Sequence, residues 1–217
     1  MVIRPHDLIE LSDMSALFFP EVEGEEPGWV KDSLRHAPYV VVRRAPVSAS
    51  GHIPVGIRGG ERNQRLGADL SPDGAARIIT PYDIARQQLW NNVSGLRRRL
   101  PVIQVMQEIA RELSGYKWGP AGSGGFEMAT GAPVLKESSD LDLVIDMSAQ
   151  EGRAQGEWAS RLLRQLDRLP VRTDIQVETL EGAYLLRELV ESSGGKVMLR
   201  TAEGPELVPH PWKLKEA

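Results

Sequence analysis

The chain predicts an α/β protein, α+β in arrangement, with a small N-terminal α/β domain followed by a domain with a mixed sheet and flanking helices. Three observations lead there. Val102, Val105, Met106 and Ile109 repeat at helical spacing, and Leu113 continues the face. After Gly115 the pattern changes to strand, turn, strand, helix, strand. Val171, Thr173, Ile175 and Val177 face one way while Arg172, Asp174, Gln176 and Glu178 face the other, the period of a half-buried strand. With 217 residues there is chain enough for one large or two small domains and a core that needs no staples.

Taken in order, residues 27–37 suit a short helix beginning near Pro27, because proline is tolerated in a first turn. Tyr39 to Val42 is apolar and β-branched and reads as a strand, and residues 53–58 as another after the Ser/Gly-rich turn at 48–51. Glycine and proline cluster at 46–74 and 115–133, and the first cluster reads as loop-rich. Arg58, Arg62 and Arg65 lie four and three residues apart and would share a face if that stretch turned helical; a solvated basic face is the plain alternative. Thr80 as N-cap with Pro81 behind it starts a helix over about 81–92, and a second follows Pro101 and ends at Gly115. The division is placed at the first of these helices, giving domains 1–82 and 83–217. Residues 154–169 carry Trp158, Leu162, Leu166 and Leu169 at helical spacing before Pro170 stops the helix. Leu185, Leu186 and Leu189 mark another helix, and Val197 to Leu199 a final strand before a Pro-rich tail.

Bulk properties exclude several classes. A net charge of −4 argues against a general nucleic-acid binder, which needs a basic face. Without cysteine there is no disulfide, thiolate metal site or cysteine nucleophile, which fits a reducing compartment. The N-terminal stretch is polar and broken by Pro5, unlike a signal peptide, and no apolar run approaches a membrane span. The expectation is a soluble cytoplasmic protein.

Asp140 and Asp142 sit in the apolar run Leu141, Leu143, Val144, Ile145, after a Gly122-Ser123 turn. Residues i and i+2 of a strand share a face, so the carboxylates would stand ~7 Å apart at Cα while Leu141 and Leu143 pack behind. Two negative charges at that range repel by roughly 2 kcal/mol at an effective dielectric of ~20. The pair makes sense on an otherwise buried strand mainly if a cation joins it, and carboxylate oxygens suit Mg²⁺ shared with a substrate phosphate. The bland alternatives are an exposed strand end for the aspartates and an ordinary hairpin turn for Gly122-Ser123.

The order Gly-Ser, Asp-x-Asp, then a lone Asp174 on a later strand resembles the nucleotidyltransferase fold. That resemblance implies two Mg²⁺ ions held by Asp140, Asp142 and Asp174, with Gly122 and Ser123 cradling a triphosphate. The gap from Ser123 to Asp140 is longer than is usual there and implies an inserted hairpin or loop. A closer resemblance covers most of the chain: the segments WVKDSLRHAPYVVVRRAP, IPVGIRGGERNQR, WGPAGSGGFEMATG, SSDLDLVI, DIQVET and GPELVPHPW look like the phosphoribosyl-dephospho-CoA transferases of malonate decarboxylase systems. It implies transfer of the 2′-(5″-phosphoribosyl)-3′-dephospho-CoA group from triphosphoribosyl-dephospho-CoA to a serine of the malonate decarboxylase acyl carrier protein, with release of pyrophosphate. Asp140 and Asp142 match the catalytic pair, and Asp174 would help activate the hydroxyl. Under that reading Arg58, Arg62 and Arg65 meet the anionic group or the acidic carrier, and Lys117 neutralises a phosphate or is a surface lysine. Glu127 reads as a further ligand or, the preferred reading, as the polar face of a strand.

Three other readings compete. A serine hydrolase would use Ser123, but Ala121-Gly-Ser-Gly-Gly lacks the leading glycine of a nucleophile elbow, and His6, His36, His52 and His210 fall in no motif. Another Mg²⁺-dependent nucleotidyltransferase, acting on a protein, RNA or small-molecule hydroxyl, would share all three aspartates. A scaffold with a decayed site would have little reason to keep the paired charges of Asp140 and Asp142.

Overall fold

The structure is a computed structural model that describes residues 3–212, except 21, 49, 62, 149–154, 193 and 194. Its elements confirm the α/β class. The N-terminal part contains β1 (Leu8–Leu11), β2 (Leu17–Phe18), α1 (Gly28–His36), β3 (Tyr39–Val42), β4 (Ile53–Arg58), β5 (Arg65–Leu70) and β6 (Ala75–Ile79). Two helices follow, α2 (Pro81–Gln87) and α3 (Pro101–Glu112). The remainder holds β7 (Lys117–Pro120), α4 (Gly122–Thr130), β8 (Leu141–Asp146), α5 (Gln155–Leu166), β9 (Thr173–Glu178), β10 (Ala183–Leu185), α6 (Leu186–Glu191), β11 (Lys196–Arg200) and β12 (Pro205–Pro209).

The first sheet is antiparallel in the order β2-β5-β4-β3-β1-β6; the second runs β12-β11-β10-β9-β8-β7 and is mixed, since β8 and β9 are parallel and its other pairs antiparallel. Two cores result, and β1 serves both, with Ile9 in one and Leu8 in the other. Val40, Val42, Val55, Ala68 and Leu70 close one core with Val30 and Leu34 of α1. The other core gathers Val102, Met106 and Ile109 of α3 with Leu141, Leu143, Ile145, Ile175 and Val177. The helical spacing of α3 and the alternation of β9 therefore place residues as the sequence predicts. Among the described residues no helix is long and apolar enough to cross a membrane.

Several expectations need correction. The stretch between Arg58 and Arg65 is a hairpin connection, with Arg58 opposite Arg65 across β4 and β5, so no helix aligns the arginines. Arg62 lies outside the described residues. The 46–74 region, read as loop-rich, contains β4 and β5, whose glycines lie in the strands. The first helix of the central pair stops at Gln87, where Gln88 turns left-handed, and a 3-10 turn covers Leu89–Asn92. Thr80 caps it as expected and Asp83 completes a capping box, its N–H donating to Thr80 Oγ1 at 3.0 Å. α3 ends at Glu112 with Leu113 as its cap, before Gly115. α5 stops at Leu166, short of Pro170, and residue 154 of its expected range lies outside the described residues. Leu185 closes a strand rather than opening a helix, and the Pro-rich tail adds β12, paired along β11 from Lys196–Pro209 to Arg200–Pro205.

Candidate active site

Parallel β8 and β9 pair Asp142 directly with Asp174, so carboxylates 32 residues apart in sequence are neighbours on one sheet face. Asp140 stands just ahead of β8. Leu141 and Leu143, wholly buried behind Asp142, fix which way the strand faces. The three aspartates line one cleft of about 310 Å³ with Ser123, Lys136 and, from the N-terminal hairpin, Arg58 and Arg65.

Gly122-Ser123 opens α4 rather than forming a hairpin turn. Gly122 has φ +55, and a Cβ there would lie 1.8 Å from Asp142 Oδ2. Both the left-handed backbone and the contact require glycine. Ala121 N–H donates to the Asp142 carbonyl at 2.9 Å, tying the start of the helix to the strand. The first N–H groups of α4 have no partner one turn earlier and the helix dipole is positive there, so this end favours phosphate oxygens.

Burial raises the Asp142 carboxyl above the usual carboxylate range; the charges of Asp174 and Asp140 add to this, while Arg58 and Arg65 oppose it. Burial also lowers the Arg58 guanidinium from its ordinary value, as does neighbouring Arg65, with Asp142 pulling the other way. Each wall thus carries like charges close together, negative on the second sheet and positive on the first. A substrate bringing both phosphate and a divalent cation would relieve both repulsions.

The long interval between Ser123 and Asp140 is filled by the rest of α4 and a pinned loop; it holds no inserted hairpin. Glu127 is on α4 and almost wholly buried, not on a strand's polar face. Its carboxylate takes two 2.6 Å hydrogen bonds from Arg97 and two at 2.8 Å from the N–H groups of Val134 and Leu135. Lys136 N–H then donates to Ser139 Oγ at 2.8 Å, setting the turn into Asp140.

Lys117 is not brought to the cleft. It pairs with Asp146 at 2.7 Å, at the end of β8 away from Asp142, with its ammonium 4.5 Å from the centre of the Tyr82 ring. Burial would raise Asp146, but the bonds from Lys117 and Ser148 hold it down to about 2. Arg4 pairs with the same carboxylate at 2.8 Å, and Arg44 with Glu178 on β9. These contacts clasp the N-terminal part to the second sheet. Lys136 and Ser139 were missed in the sequence; the only signal for them is their position in the turn just before Asp140. For Arg97 and Glu127, 30 residues apart, the sequence carries no signal at all.

Among the described residues no histidine lines this cleft; His6 lines the cavity beside it, where its Nε2 lies 3.2 Å from Gln176 Oε1 rather than against Ser123.

Comparison with known proteins fits this arrangement. The family model described as the phosphoribosyl-dephospho-CoA transferase MdcG N-terminal domain matches residues 4–81, and that of the C-terminal domain matches residues 88–211. A protein of Pseudomonas putida (strain GB-1) is 38% identical over 216 residues, covering 98% of this chain and 97% of its own length. One of Klebsiella pneumoniae (strain 342) is 35% identical over 214 residues, covering 98% of each chain. One of Azotobacter vinelandii is 35% identical over 210 residues, covering 97% of this chain and 94% of its own. All three are named phosphoribosyl-dephospho-CoA transferase. No solved structure matches the chain significantly. With both family models matched and relatives of this identity spanning nearly its whole length, the chain belongs to the phosphoribosyl-dephospho-CoA transferase family.

Proposed function

We infer that this transferase attaches the 2′-(5″-phosphoribosyl)-3′-dephospho-CoA group to a serine of the malonate decarboxylase acyl carrier protein, using triphosphoribosyl-dephospho-CoA as donor and releasing pyrophosphate. The observation that carries this reading is the facing of Asp140, Asp142 and Asp174 by Arg58 and Arg65 across one cleft, beside the N-terminus of α4. Such a cleft suits an acceptor hydroxyl on one side of a phosphorus and a polyphosphate leaving group on the other.

Among the described residues no three acidic or histidine side chains are gathered tightly enough to cage an ion. The adjacent Asp142 and Asp174 nevertheless fit Mg²⁺, which is held by one or two carboxylates and completed by substrate phosphates and water. Asp140, Asp142 and Asp174 would hold it, and three carboxylates shared with a triphosphate suit two such ions. When bound, Mg²⁺ supplies charge neutralisation to the phosphates and acidifies the attacking hydroxyl.

The chain's own groups do the rest. The amide groups at the start of α4 and the Ser123 hydroxyl orient the triphosphate, while Arg58 and Arg65 meet its negative charge. The carrier serine oxygen bonds to the α-phosphorus, the bond from that phosphorus to the bridging oxygen breaks, and pyrophosphate leaves with the electron pair. Asp174, on the open side of the pair, accepts the serine proton.

The test is intact-mass spectrometry of apo carrier protein incubated with this protein, the triphosphate donor and Mg²⁺, with an EDTA control. A gain equal to the phosphoribosyl-dephospho-CoA group, abolished by EDTA, supports the reading. No gain, with a nucleotide from ATP appearing on another acceptor, would overturn the substrate assignment in favour of a different nucleotidyl transfer.

A further inference from the structure

A second cavity, about 530 Å³, shares Arg58, Arg65 and Asp142 with the catalytic cleft and extends it over the N-terminal sheet. Its floor is the face of β3, β4 and β5 turned away from the N-terminal core. Val41 pairs with Gly56 and Gly56 with Gly67, while Arg58 pairs with Arg65 one step along the same face. Arg43, two residues beyond Val41, continues that face, and its N–H donates to the Pro54 carbonyl at 2.9 Å.

The Arg43 side chain folds back across the sheet towards the other two arginines. A Cβ on Gly67 would lie 2.2 Å from Arg43 Nη1, whereas one on Gly56 would meet only its Cδ and Cγ, at an ordinary 3.6 Å. The guanidinium therefore occupies a slot that exists because residue 67 has no side chain. Gly67 is two residues from Arg65, about 7 Å along the strand. Arg4, Arg44, Arg97 and Arg172 each have a carboxylate partner, but among the described residues Arg43, Arg58 and Arg65 form no ion pair. Three guanidinia without an ion-pair partner on one wall are the chemistry of a polyphosphate site, since each planar fork can meet two phosphate oxygens.

We propose that Arg43, seated in the slot left by Gly67, is a third ligand of the donor's triphosphate beside Arg58 and Arg65. This rests on the reading above that the donor is a triphosphate. It gives Gly67 a role no charge-based reading would assign: it positions a cation contributed by another strand.

The experiment is calorimetric titration of the full-length protein with inorganic tripolyphosphate, together with donor and carrier KM values. Arg43→Gln should weaken tripolyphosphate binding about tenfold or more, the effect of losing a charge-assisted hydrogen bond. Gly67→Ala should weaken it in the same direction with every charge retained. In the transfer assay Arg43→Gln should raise the donor KM and leave the carrier KM unchanged. Wild-type tripolyphosphate affinity in either Arg43→Gln or Gly67→Ala would overturn the proposal, as would a rise confined to the carrier KM. If the carrier gains mass yet Arg43→Gln binds tripolyphosphate normally, the inference fails and the proposed function stands. If the carrier gains no mass but binding still depends on Arg43 and Gly67, the polyphosphate site stands and the function reading fails.

Discussion

Gly122→Ala tests the coupling of α4 to the reacting face most directly. The substitution adds one methyl group at φ +55, where a non-glycine residue costs about 1–3 kcal/mol. For a chain of this length that lowers Tm by roughly 2–4 °C per kcal/mol, so the folded protein should survive with a melt about 5 °C lower. The methyl carbon would start 1.8 Å from Asp142 Oδ2, where an uncrowded contact needs more than 3 Å, so the carboxylate must move by over 1 Å. Displacement on that scale in a catalytic group costs on the order of 10²-fold in rate. The assay is initial-rate transfer to carrier protein at saturating donor, with circular dichroism melting on the same preparation. A folded Gly122→Ala protein with wild-type kcat would refute the claim that this glycine sets the position of Asp142.

Asp142→Asn should abolish transfer with little loss of stability, because it removes a buried charge and its repulsion with Asp174 and Asp140, and EDTA should silence the wild type; turnover retained in either experiment counts against the cation assignment. Arg97→Ala leaves the buried Glu127 carboxylate without its cation, a loss of about 3–5 kcal/mol in chemical denaturation, and a smaller loss would mean that the loop amides suffice. Lys117→Met should lower stability but leave the donor KM unchanged, because Lys117 pairs with Asp146 away from the cleft; a raised donor KM would return it to the site. The last prediction concerns acid. Burial pushes the Asp7 carboxyl up to about 6 against the Arg4 N–H bond, so between its ordinary 3.8 and 6 the native state binds the extra proton and gains stability as pH falls. Burial and the Arg44 charge lower His6 to about 4 against its Gln176 bond, so between 6.5 and 4 the unfolded state binds the extra proton and stability falls. The two oppose each other, and Asp7→Asn removes the compensation, so stability should fall by about 3 kcal/mol more than in wild type between pH 6.5 and 4 in urea unfolding. Parallel declines would contradict it.

Periodicity made the central elements legible. α3, β3, β4 and β9 carry their burial in the spacing of their own residues, and Asp140, Asp142 and Asp174 stand out because charge interrupts or alternates with apolar runs. The strands β2, β10 and β12 were not legible. They are short or proline-flanked and owe their existence to partners such as Leu70, Val177 and Leu199, supplied from elsewhere in the chain. The spacing of the arginines, four and three residues, would align them only on a helix, whereas a hairpin brings Arg58 opposite Arg65 through pairing that spacing does not reveal. Lys117 was assigned by nearness in sequence to Gly122, yet β7 runs antiparallel to β8 and carries it to the far end, opposite Asp146. Glu127 lay beyond sequence reasoning altogether, because its partner Arg97 comes from a separate segment.

The face shared by β8 and β9 carries acidic residues at both ends, Asp142 and Asp174 at the cleft, Asp146 and Glu178 at the clasp. Four residues of extended strand, about 13 Å, separate the two pairs. The same two strands therefore carry both the carboxylates of the cleft and the contacts that hold the arginine-bearing sheet opposite them. Arg44 and Glu178 in that clasp are mostly shielded from water, so salt screens them weakly, while exposed Arg65 at the cleft is screened more. The two ends of one strand pair should therefore answer differently to salt, the clasp holding where the mouth of the cleft weakens.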